Sequence, residues 1–133
     1  MFLGKWERLM SQKILIVDDE SDISETLAIR LQKAGYEVLL AFDGQEGLSK
    51  AKETIPDIII LDEMMPKMNG FKVCALLKAD SRFHKIPVVM FTARSQDEID
   101  KTLAQEVGFD DYVNKLVDFE ELLEKIKGLT VKN

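Results

Sequence analysis

Cysteine and histidine are nearly absent from this 133-residue chain, which has one of each, Cys74 and His84. A lone cysteine cannot form an internal disulfide. His84 sits in the polar stretch Ser81-Arg82-Phe83-His84-Lys85 and reads as a loop residue, so the count excludes a histidine zinc site or a histidine-based triad. No apolar run approaches the roughly 20 residues of a membrane span. The first ten residues carry Phe2, Leu3, Trp6 and Leu9 beside Lys5 and Arg8, but not the apolar stretch of roughly 7 to 15 residues that marks a secretory signal. They read as an arm outside the main fold, and Met10 is an alternative start. Basic excess is missing too: 18 Lys and Arg against 24 Asp and Glu give a net charge of -6. That balance argues against direct nucleic-acid binding, which needs basic surface to neutralise phosphates. These absences point to a reducing, cytoplasmic setting. Pro56, Pro66 and Pro87 fall at element edges, and no repeat or linker rich in Pro, Gly or Ser divides the chain. The partition is an arm over 1–11, one domain over 12–129 and a tail over 130–133.

What the chain does contain is a recurring pattern of apolar run followed by polar tip. Ile14-Leu15-Ile16-Val17 leads into Asp18-Asp19-Glu20, and Ile58-Ile59-Ile60-Leu61 leads into Asp62. Val88-Val89-Met90-Phe91 leads into Thr92, and Tyr112-Val113-Asn114 into Lys115. Continuous apolar runs suit strands covered on both faces, as in a parallel sheet flanked by helices. Strands are expected near 13–17, 37–41, 57–61, 87–92 and 111–115. Helices are expected near 22–33, 44–53, 70–79, 96–106 and 119–128.

Local signals support the helices. Asp22/Glu25, Asp43/Glu46, Ser95/Glu98 and Asp118/Glu121 have capping-box spacing. Ile23, Leu27, Leu31 and Ala34 give the first helix an apolar face, and Gly35 stops it.

If the strands are parallel neighbours, their C-terminal ends converge on one rim, where open α/β sheets place ligand sites. Crowded carboxylates there need a divalent cation, a proton or a lysine. Asp62 is followed by Glu63-Met64-Met65-Pro66-Lys67-Met68-Asn69-Gly70, whose Pro and Gly constrain the loop. A carboxylate held at a strand end can attack phosphorus if a metal neutralises the phosphoryl oxygens. Asp18 and Asp19 can hold Mg²⁺, which accepts one or two carboxylates plus water and phosphate oxygens. Lys115 and Thr92 can bind the remaining phosphoryl oxygens. Taken singly, each has a plainer reading. Asp18 and Asp19 suit a helix start, Thr92 a strand, Lys115 solvent and Tyr112 a half-buried strand. Met64, Met65 and Met68 read as packing residues, because thioethers prefer soft metals.

Together these residues resemble the receiver domain of two-component response regulators, over about residues 13 to 128. The resemblance rests on Asp18-Asp19, the Asp62-to-Gly70 segment, Phe91-Thr92-Ala93, and Gly108-Phe109-Asp110-Asp111-Tyr112 leading to Lys115. It implies a flavodoxin-like, doubly wound five-stranded parallel sheet of order 2-1-3-4-5 with five flanking helices. It also implies that Asp62 accepts a phosphoryl group from a histidine kinase or phosphotransfer protein. Mg²⁺ would lie on Asp19, Asp62 and the main-chain carbonyl of Met64, with Asp18 acting through water. On phosphorylation Thr92 would be drawn in and Tyr112 would turn inward. The face formed by helix 4, strand 5 and helix 5 would then change for a downstream protein or a second copy of the chain. Met64 and Arg94 would flank the site and tune dephosphorylation. Beyond self-phosphorylation and its reversal, no enzyme activity is implied.

One departure stands out: the family places Lys-Pro, joined by a cis bond, where this chain has Lys115-Leu116. A cis bond before a non-proline residue costs about 2.5 to 4 kcal/mol, so a trans bond is expected here. If the change displaces the Lys115 amine, the alternative is a pseudo-receiver that binds partners without phosphorylation. An aspartyl hydrolase is a weaker alternative, because the position two beyond Asp62, where such enzymes usually place a second Asp, is Met64.

Overall fold

A computed structural model of the chain describes residues 11–94 and 101–130. Five strands, β1 (Lys13–Val17), β2 (Glu37–Ala41), β3 (Ile58–Asp62), β4 (Val88–Thr92) and β5 (Asp111–Asn114), form one parallel sheet of order β2-β1-β3-β4-β5. Helices α1 (Ser21–Lys33), α2 (Gly44–Thr54), α3 (Gly70–Lys78), α4 (Lys101–Val107) and α5 (Phe119–Thr130) connect and cover it. This is the flavodoxin-like arrangement. Among the described residues, no helix is long and apolar enough to cross a membrane.

The period of two along each strand sorts the apolar runs onto two faces. Leu15, Val17, Ile59, Leu61, Val88, Met90 and Tyr112 pack with α2, α3 and α4 through Leu48, Ala51, Val73, Cys74, Leu77 and Val107. Ile14, Ile16, Ile58, Ile60, Val89, Phe91 and Val113 pack with α1 and α5 through Leu27, Ala28, Leu31, Leu122 and Ile126. The continuous runs are therefore double-sided core. The register sets Val17 beside Leu61, Asp62 beside Phe91, and Thr92 beside Asn114, so the polar tips emerge on one rim.

Most element ends follow the sequence reading, with instructive differences. Helix α1 starts at Ser21, and Glu20 is its cap residue without a side-chain cap bond, so Asp22/Glu25 is not a capping box. The buried face of α1 is Ser24, Leu27, Ala28 and Leu31. Ile23, at one edge of the expected stripe, is 37% exposed, and Ala34 is the cap residue just past the helix end, so Leu27 and Leu31 carry the expected face. Gly35, at φ +104°, does end α1, with its N–H on Gln32 and the Tyr36 N–H on Leu31, a Schellman closure.

Asp43 caps α2, its Oδ1 accepting the Glu46 N–H at 2.8 Å. Asp118 caps α5 more loosely, from the Glu120 N–H at 3.4 Å. Asn69, which the spacing argument passed over, caps α3 through the Lys72 N–H at 3.0 Å. Ser95/Glu98 and the expected start of the fourth helix lie outside the described residues, as do the first ten residues. At the other end, α5 runs through Thr130, whose side chain is buried.

Candidate functional site

The rim gathers carboxylates from two strand ends around one ammonium. Asp18, directly after β1, and Asp62, the last residue of β3, are both buried, while Asp19 and Glu20 are exposed. Ligand oxygens of Asp18, Asp19, Glu20 and Asp62 all lie within 4.8 Å of one another. Lys115, just past β5, places Nζ 3.1 Å from Asp18 Oδ2, 2.9 Å from Glu20 Oε1 and 3.3 Å from Asp62 Oδ1. One cation thus faces the cluster of acids. Burial, followed by repulsion from Asp18, pushes the Asp62 carboxyl up to about 7 against the lowering effect of Lys115. Burial disfavours the Lys115 charge, but its hydrogen bonds to Glu20 and Asp18 and the Asp62 charge outweigh that and raise its pKa.

The loop after Asp62 is held by backbone contacts. Gly70 donates its N–H to the Glu63 carbonyl at 2.9 Å. A Cβ on Gly70 would stand 2.2 Å from the Asp62 carbonyl oxygen, so only glycine lets α3 start this close to the acceptor strand. Lys67 turns the loop at φ +69°, with the Met68 N–H on Pro66 O at 2.7 Å. The Met64 side chain is exposed, and its N–H makes a long 3.4 Å contact with Asp62 Oδ1.

Thr92 is fully buried at the end of β4, and its Oγ1 accepts the Arg94 N–H at 3.2 Å. No cis peptide occurs among the described residues, so Lys115-Leu116 is trans, as expected. Leu116 is 93% exposed, and its N–H donates to Asn114 Oδ1 at 2.7 Å. Asn114 Nδ2 also ties this loop to Arg94 O at 2.8 Å. The reshaped turn leaves the Lys115 amine over the acids.

Tyr112 differs from its expected resting position. It is already inward and buried, with its hydroxyl donating to Glu63 Oε1 at 2.7 Å. Burial, then the Glu63 contact, push its phenol up to about 12. Glu63 itself is 2% exposed, and Arg94 Nε stands 2.7 Å from its Oε2. That N–H is not well aimed, so Oε2 receives a neighbouring charge but no well-formed hydrogen bond. The buried role of Glu63 was missed because an acid in a polar loop reads as solvated. The usable signal was parity: position 63 continues the alternation of Ile59 and Leu61, which face α2, α3 and α4, the cluster that holds Tyr112.

An open parallel sheet with buried carboxylates and one lysine at its C-terminal rim defines an α/β acidic-pocket module. The response regulator receiver domain model matches residues 14–127, and the chain belongs to that family, the receiver domains of two-component systems. The DNA-binding dual master transcriptional regulator RpaA of Synechocystis is 44% identical over 88% of this chain and 48% of its own length. The alkaline phosphatase synthesis transcriptional regulatory protein PhoP of Bacillus subtilis is 41% identical over 90% of this chain and 49% of its own. The chain therefore spans about half the length of these relatives. Among solved structures, chemotaxis protein CheY4 of Vibrio cholerae matches with TM-score 0.82 and 34% identity, over 90% of this chain and 98% of that one. Receiver domains are generally not enzymes in the ordinary sense, and they generally bind Mg²⁺ at an acidic pocket. The donor set here fits that hard cation: oxygen ligands only, with two buried acids whose mutual repulsion a cation relieves.

Proposed function

We propose that the chain is the phosphoryl-accepting module of a phosphorelay, with Asp62 as acceptor. The observation that carries this reading is the buried Asp62 carboxylate, raised in pKa by its surroundings and set 3.3 Å from Lys115 Nζ. An Asp62 Oδ attacks the phosphorus of a phosphohistidine on a histidine kinase or phosphotransfer protein. The P–N bond breaks, and the imidazole nitrogen leaves with its electron pair. Lys115 pairs with one phosphoryl oxygen, and the Thr92 hydroxyl donates to another. Asp19, Asp62 and the Met64 carbonyl would hold Mg²⁺, with Asp18 acting through water. When bound, the ion neutralises charge building on the phosphoryl oxygens.

The readout in this proposal is the face made by α4, β5 and α5, engaged by a downstream protein or a second copy of the chain in the cytoplasm. Direct nucleic-acid binding by these residues is not part of it, because a net charge of -6 offers no basic excess to phosphates. The phosphorylation-independent alternative loses its motive when the trans Lys115-Leu116 bond leaves the amine in reach of Asp62.

Intact mass after treatment with acetyl phosphate tests the proposal. One phosphoryl adduct that requires both Mg²⁺ and Asp62, and is absent in Asp62→Ala, is the expected result. An unmodified protein under every condition would overturn it.

A further inference from the structure

Glu63 is a buried acid that phosphoryl transfer does not use. It directly follows Asp62, yet it lies on the opposite side of the strand and meets two partners from different elements. Its Oε1 accepts the Tyr112 hydroxyl from β5 at 2.7 Å, and its Oε2 is 2.7 Å from Arg94 Nε in the segment after β4. Arg94 is in turn tied to the rim, donating its N–H to Thr92 Oγ1 at 3.2 Å and accepting from Asn114 Nδ2 at 2.8 Å. Phe109 and Phe71 wall the far side, with the Phe109 ring 5.7 Å from Tyr112 and 6.1 Å from Phe71.

We propose that Glu63 is a positioning residue: the buried chain Arg94–Glu63–Tyr112 holds Tyr112 inward before any phosphoryl group arrives. A hydrogen bond to a charged group is worth more than a neutral one, and a buried carboxylate without its partners is costly, so both ends of the chain favour the inward ring. Rotation of Tyr112 outward would leave Glu63 Oε1 without its donor. The resting chain therefore has its β5 face biased toward the inward arrangement. Phosphorylation acts on that bias through Thr92, whose hydroxyl accepts the Arg94 N–H. Movement of Thr92 toward Asp62 pulls on the same segment that carries the Glu63 counter-charge. This inference rests on the proposed function in taking the β5 face as the readout and Asp62 phosphorylation as what acts on it, whereas the resting position of Tyr112 does not.

The test uses unphosphorylated protein, so its failure is separate from any failure at Asp62. The chain has two tyrosines, Tyr36 and Tyr112, so fluorotyrosine in a Tyr36→Phe background reports Tyr112 alone by ¹⁹F NMR. The resonance is expected to be solvent-shielded, with little H₂O/D₂O shift, in the otherwise unaltered protein. Glu63→Met, which removes the acceptor but keeps similar bulk, is expected to lower the inward-to-outward ratio about tenfold or more. Glu63→Gln retains an amide oxygen for the hydroxyl and is expected to restore most of the shielding, which a purely space-filling role does not predict. Arg94→Met lies on a half-exposed side chain and serves if Glu63→Met does not fold. It is expected to raise the outward population about threefold or more, because Glu63, no longer held by its counter-charge, turns toward the space Arg94 filled and gives up the Tyr112 hydroxyl. A shielded Tyr112 unchanged in Glu63→Met, or unchanged in Arg94→Met where that is the folded variant, overturns the inference.

Discussion

Asp62 and Glu63 are consecutive carboxylates, 3% and 2% exposed, and they live in opposite electrostatic worlds. Asp62 clusters with Asp18, Asp19 and Glu20, the Lys115 ammonium contacts three of these four acids, and the Asp62 pKa is driven up to about 7. Glu63 faces one guanidinium and one phenol, and the phenol is also hydrogen-bonded to Thr92. The alternation of a strand produces this divergence, since successive side chains leave on opposite faces. The difference separates two jobs. A charge surplus on the rim favours an incoming cation or phosphoryl-metal pair, whereas a locally balanced acid favours one fixed geometry of its neighbours.

The largest expected effect comes from merging the two regions. Gly70→Ala would drive a methyl into the Asp62 carbonyl and strain the Gly70 bond to the Glu63 carbonyl. A loss of about 3 kcal/mol in denaturant unfolding is expected. Next, Arg94→Met takes away the counter-charge of Glu63, and because Arg94 is half-exposed the expected loss is about 1 to 2 kcal/mol.

Asp62→Asn should act in the other direction. The Asp62 pKa is raised in the folded state, so folding binds a proton and charging the group costs stability. That cost is absent below the unfolded value near 3.8, grows as pH rises, and is complete above about 7. Without Mg²⁺, Asp62→Asn is therefore expected to be more stable than the parent at pH 8, by on the order of 1 kcal/mol. The advantage should vanish by pH 4, as thermal unfolding across that range would report.

The smallest effect is expected at Leu116, which touches neither carboxylate. Leu116→Pro removes an N–H that donates to Asn114 Oδ1 at 2.7 Å, so a change of about 1 kcal/mol or less in unfolding is expected. A larger change, or loss of the Asp62 adduct, would tie the turn to the acidic pocket.

The sheet was legible because its strands are continuous apolar runs: β1 and β2 begin and end where the pattern does. The acid cluster and its lysine were legible for a related reason, since Asp18, Asp19, Asp62 and Lys115 each follow or close such a run. Features set by three-dimensional partners were not. Glu20 is acidic and close to a helix start, which says nothing of its 2.9 Å contact with Lys115, a residue 95 positions away. The inward Tyr112 depends on Glu63 and Arg94, brought together only when β3, β4 and β5 align. Asp22/Glu25 misled because the same spacing also occurs inside a helix: Asp22 is already the second residue of α1, whose start at Ser21 has no side-chain cap on the preceding residue.

The division between the two carboxylates is tested most directly by the effect of Mg²⁺ on thermal unfolding of the parent, Asp62→Asn and Glu63→Gln. Mg²⁺ should raise the unfolding temperature of the parent and of Glu63→Gln alike, and should do far less for Asp62→Asn, because a ligand stabilises only the form that binds it. A full Mg²⁺ response in Asp62→Asn, or its loss in Glu63→Gln, would contradict the assignment of cation binding to one acid and positioning to the other.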